Sequence, residues 1–63
     1  MDRMQVAEIR KTLFLNGKTY KDMAADIGVS YGYLRLVMAG REKGENTVRK
    51  IEKYIKALEE GGS

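Results

Sequence analysis

A length of 63 residues bounds the chain to one domain at most, near the smallest size at which a core suffices without disulfides, metal or a partner, and leaves little room for an active-site cleft. Cysteine and histidine are both absent, which removes thiolate nucleophiles, disulfides, the usual zinc ligands and the neutral-pH proton shuttle together. Twelve Lys and Arg against nine Asp and Glu leave a net charge of +3, an excess compatible with a nucleic-acid partner, and no paired-carboxylate or Ser/Lys constellation points to catalysis.

The first predicted element is a helix over residues 2–16, with Asp2 placed to cap it and Val6, Ile9 and Leu13 spaced to line one face. Leu13, Phe14 and Leu15 follow one another. Such a run predicts a helix end covered on several sides by the second and fourth helices, all three residues in core packing, and Phe14, the only Phe, as an anchor. Asn16-Gly17-Lys18 is a turn signal. The first residues lack the basic-then-apolar pattern of a leader and no apolar run approaches a membrane span, so the expectation is a protein of the cytoplasm or nucleoid with no membrane partner.

The stretch from Thr19 to Gly40, TYKDMAADIGVSYGYLRLVMAG, contains two short helical patterns joined by Gly28-Val29-Ser30. Thr19 and Asp22 form a capping-box-like pair, so the second helix starts near Tyr20. Met23, Ala24 and Ile27 recur at helical spacing, and Gly28 stands where the chain needs left-handed dihedrals to stop and turn. Val29 fills the corner and Ser30 is a favoured N-cap. The third helix then runs from Tyr31 to about Ala39 with Leu34, Val37 and Met38 as its apolar stripe, and Gly40 follows it.

Residues 41–45 form a polar connection without an apolar anchor, leading to Asn46 as the best candidate cap of a fourth helix, with a start at Glu45 as the alternative. Val48, Ile51, Ile55 and Leu58 repeat at three-four spacing and should pack on the first and third helices, leaving Lys50, Lys53 and Lys56 toward water. Tyr54 sits beside that stripe, placed to cover its edge while its hydroxyl stays wet. Glu59 and Glu60 oppose the helix dipole, which predicts a frayed last turn, and Gly61-Gly62-Ser63 has linker composition. The domain is therefore expected over residues 1–60, with 61–63 as a flexible tail.

The Thr19–Gly40 segment resembles the helix-turn-helix of the phage repressor and Cro-like family of transcription regulators. Met23, Ala24, Ile27, Gly28, Val29, Leu34 and Val37 match that pattern position by position: a small residue where the helices cross closely, and a glycine where the turn leaves no room for a Cβ. The resemblance extends over roughly residues 4 to 58 and implies an all-α, four-helix domain that is not an enzyme and needs no cofactor or metal. The absence of proline and the cap or glycine at each turn suit a designed member of the class as well as a small natural regulator.

On the third helix, 100° per residue turns Gly32, Arg35, Leu36 and Ala39 outward, opposite the stripe and flanked by Tyr31 and Tyr33. The resemblance places this helix in the major groove of double-stranded DNA with Ser30, Tyr31, Gly32, Arg35 and Leu36 as base-reading residues. Arg35 suits guanine O6 and N7; Leu36 or a tyrosine ring suits a thymine methyl. Where many members carry Gln, this chain has Tyr31, so the family's adenine contact does not transfer. Phosphate contacts are expected from Lys18, Thr19, Tyr20 and Lys21 around the start of the second helix, and from Arg41 and Lys43 after the third. Asn46 either caps the fourth helix or touches phosphate. With no helix after the fourth, a monomer or weak homodimer is expected. The competing reading is a protein-interaction module, antitoxin-like or a scaffold, using Tyr31, Tyr33 and Leu36.

Overall fold

A computed structural model describes residues 1–61 as four α-helices with no strand among them: α1 (Arg3–Leu15), α2 (Tyr20–Ile27), α3 (Tyr31–Met38) and α4 (Glu45–Gly61). Local chemistry fixes three of the four starts. At α1 the Gln5 amide donates to Asp2 Oδ1 (2.8 Å) while the Asp2 amide donates to Gln5 Oε1 (3.3 Å), a reciprocal capping box. Thr19 and Asp22 repeat the device at α2, and Ser30 Oγ accepts from the Tyr33 amide (3.1 Å) at α3. The first and third helices end alike. The Gly17 and Lys18 amides bond back to Phe14 and Leu13, and those of Gly40 and Arg41 to Val37 and Leu36, so each helix closes in a Schellman motif whose final residue is basic.

The core consists of Ile9 and Leu13 from α1, Met23 and Ala24 from α2, Leu34, Val37 and Met38 from α3, and Ile51 and Ile55 from α4. Full burial of one such large side chain contributes about 2 kcal/mol, and at this size the core has few of them. Val6, Ile27, Val29, Val48 and Leu58 pack half-buried around it. The chain's radius of gyration is 10.7 Å, against the ~11 Å of a well-packed domain this long. No helix among the described residues is long and apolar enough to cross a membrane.

Four expectations change. Phe14 is 82% exposed and Leu15 70%, so only Leu13 of the apolar triplet is in the core; at 100° per residue three consecutive side chains cannot share one buried face, and Leu13 takes the inward side. Asn46 does not cap α4 but lies within its first turn, because the helix starts at Glu45 and the Val48 amide already bonds to Gly44 O (2.8 Å). The helix also continues through Glu59 and Glu60 to Gly61, which belongs to α4 rather than to a tail; residues 62 and 63 lie outside the described residues. Lastly, the Tyr54 hydroxyl, though at the surface as expected, has a protein partner as well: it donates to Asp26 Oδ2 (2.6 Å) near the end of α2.

Candidate nucleic-acid interface

The α2–α3 corner sets the direction of α3. Gly28 adopts φ 80 and ψ 33, the left-handed conformation expected of it, but a Cβ there would meet nothing within 4 Å, so the positive φ and not a lack of room calls for glycine; the Gly28 and Val29 amides both bond to Ala24 O (2.9 and 3.0 Å), and the chain turns within three residues. Ala24 is buried on α2, the helix that packs against both α3 and α4. Leu34, Val37 and Met38 anchor the inner side of α3. Its outer side is left uncovered: Tyr31, Gly32, Tyr33, Arg35, Leu36 and Ala39 are all exposed.

Four of the sequence-predicted residues meet on this surface. Gly32, Arg35, Leu36 and Arg41, with Ala39, line one shallow hollow of about 340 Å³. The Schellman bond from the Arg41 amide to Leu36 O (2.9 Å) brings Arg41 there, folding the basic residue after α3 back beside the helix. Arg35 stands over the Tyr31 ring, its guanidinium carbon 5.7 Å from the ring centroid, a cation–π contact of ~0.5–1 kcal/mol at an exposed site. That contact restrains a long, rotamer-rich side chain before any ligand arrives. Ser30 begins the helix with its hydroxyl engaged in the cap.

At the start of α2, Thr19 is occupied internally. Its amide and hydroxyl donate to Asp22 Oδ2 (2.9 and 3.0 Å) and its Oγ accepts from the Asp22 amide (3.2 Å); the amide first and the hydroxyl second hold the Asp22 carboxyl below the usual carboxylate range. Any anion contact of Thr19 itself must therefore displace the box, whereas Lys21 is exposed. Tyr20 is half-buried against the core; burial pushes its phenol up, Arg10 nearby opposes that, and Tyr31 adds to it. Lys18 lies 3.9 Å from Asp26, so a phosphate would compete with that pair for its ammonium. Lys43 and Asn46 are exposed in the α3–α4 connection and the first turn of α4.

Two basic residues outside the expected set belong to the same side. Arg3 and Arg10 line a hollow with Met38 and Ala39 at the end of α3, and Arg10 also lines one with Lys18 and Tyr20. Arg10 thus spans both flanks of the helix-turn-helix. The sequence signal was available: two arginines seven residues apart, two turns of one helix, share a face. Comparison of the chain with protein-family models, with curated proteins and with solved structures found no match.

Proposed function

We propose that the protein is a non-enzymatic, sequence-reading binder of double-stranded DNA, of the repressor and Cro-like helix-turn-helix type, with α3 in the major groove. The observation that carries this reading is the uncovered outer face of α3, on which Arg35 is held over Tyr31 while Arg41 and Arg10 flank the helix. An 8-residue helix spans about 12 Å, the width of the major groove, and Gly32 and Ala39 leave the backbone free to approach the bases. Arg35 donates to a guanine edge and Leu36 packs on a thymine methyl. Arg41, Lys21, Lys43 and Arg10 neutralise phosphates, and the protein acts in transcription regulation as a monomer or weak dimer.

The same face suits a protein partner through its exposed Tyr31, Tyr33 and Leu36, and one measurement separates the two readings. Selection from a randomised duplex library, followed by anisotropy titration of the enriched sequence at several salt concentrations, should give affinity that falls linearly in log–log form with a slope of roughly −0.9 per phosphate contact. No enrichment, or an affinity indifferent to salt, rejects the DNA reading.

A further inference from the structure

Among the described residues the exposed large hydrophobic side chains fall on two helices only, Tyr31, Tyr33 and Leu36 on α3 and Met4, Phe14 and Leu15 on α1. The face of α1 is the one without a role so far. Met4, 79% exposed, and Leu15, 70% exposed, are joined by the exposed Glu8 and Lys11 at successive spacings of four, three and four residues. At 100° per residue these four side chains lie within about 60° of one another, on the side of α1 turned away from the buried Ile9 and Leu13. The stripe is apolar at both ends and carries one acid and one base between them.

Its order is mirrored about its own midpoint: Met4 precedes that point by as much as Leu15 follows it, and Glu8 by as much as Lys11. We infer that α1 pairs antiparallel with α1 of a second copy about a two-fold axis, each Met4 on the other copy's Leu15 and each Glu8 against the other copy's Lys11. The two-fold axis makes every one of these contacts twice. A parallel pairing would set Glu8 on Glu8 and Lys11 on Lys11, and a partner lacking the mirrored order would leave one of the charges unmatched, so charge complementarity selects a second copy in one orientation. The four-three-four spacing is the one that keeps two helices in contact along a shared seam. A 13-residue helix is about 20 Å long, and its one face offers far less than the ~800 Å² per partner of a stable interface. Glu52, Glu59 and Glu60 of α4 flank the stripe and come to the same side of the pair in both copies, where they repel. The dimer is therefore weak and concentration-dependent. The inference rests on α1 alone and stands whatever α3 binds.

Sedimentation equilibrium of the full chain from micromolar to millimolar, combined with charge exchange, tests the pairing. The parent should dimerise reversibly, with amide NMR shifts on dilution centred on Met4, Glu8, Lys11 and Leu15. Glu8→Lys and Lys11→Glu should each raise the dimer dissociation constant about tenfold or more, since either one turns both interchain ion pairs into like-charge contacts. An equimolar mixture of the two variants should recover dimers about as tight as the parent's, because each chain then carries the charge the other lacks; a Glu8–Lys11 pair confined to one helix gives no such recovery. Both positions are exposed, and an unchanged circular-dichroism melt at low concentration verifies that each variant folds. A parent that stays monomeric at millimolar concentration, dilution shifts centred on α3, or folded variants that dimerise as the parent does and gain nothing on mixing overturns the inference.

Discussion

Tyr54 of α4 donates a 2.6 Å hydrogen bond to Asp26 at the end of α2, the carboxylate that Lys18 also approaches at 3.9 Å. The pair fastens the last helix to the helix-turn-helix from outside the core. Burial first, and the accepting Asp26 carboxylate second, push the Tyr54 phenol up to about 12. A phenol whose folded pKa lies above its unfolded value binds its proton more tightly in the folded state, so its contribution is complete below pH ~10 and is lost as the pH rises toward 12. Tyr54→Phe should lower stability by about 1 kcal/mol at neutral pH in urea titration. It should also flatten the alkaline loss relative to the parent; identical alkaline profiles would show that the bond is not formed in solution.

Arg35→Ala should leave the thermal midpoint nearly unchanged, since the side chain is exposed, yet cost roughly 1–3 kcal/mol of affinity on the preferred duplex and much less on random DNA. Arg35→Lys keeps the charge without the planar fork and should recover the random-DNA component only. Affinity lost equally on all sequences would reassign Arg35 to phosphate, and no loss would remove α3 as the reading element.

Arg10→Ala and Arg41→Ala test the flanks. Each should weaken binding about uniformly across duplex sequences and lower the magnitude of the salt slope by roughly 0.9. A changed sequence preference in either variant would move that residue to the base-reading set.

Among the described glycines, Gly44 has the least room for a side chain. It has φ +44, and a Cβ there would stand 2.8 Å from Val37 Cγ2 and 2.9 Å from the Tyr33 hydroxyl. Gly44→Ala should therefore destabilise the fold by an amount on the order of 1–3 kcal/mol, visible as a lowered midpoint in thermal melts. Gly32 is the contrast: a Cβ meets nothing within 4 Å, and Gly32→Ala should raise stability by roughly 0.5–1 kcal/mol while weakening duplex binding if the backbone approaches the bases there.

The features legible in the sequence are those whose partners sit within a few residues. Thr19 with Asp22, Ser30 before α3 and Gly28 at the turn each follow from local geometry, and the stripes of α3 and α4 follow from the helical period. What escaped depends on how the helices cross. Phe14 looks like a core residue until the direction of Leu13 is fixed, since only one of the two can face inward. Tyr54 and Asp26 are 28 positions apart, and buried Thr12 donates to Glu59, 47 positions away. Gly44 reads as one more loop glycine until Val37 and Tyr33 are seen to close over it. Arg10 gains its neighbours from the end of α3, which no window on α1 contains.

The residues that hold α3 down, Leu34, Val37 and Met38, and those it turns outward, Tyr31, Gly32, Arg35, Leu36 and Ala39, have no member in common. Heritable change can therefore act on the two sets separately. Under the proposed DNA-reading function, a lineage, or a library, that varies the outward positions would sample new targets while leaving the core intact, so a new specificity would require no compensating change in the interior. Constraint falls instead on the corner that aims the helix, where altering Ala24 or Gly28 would redirect every outward residue at once.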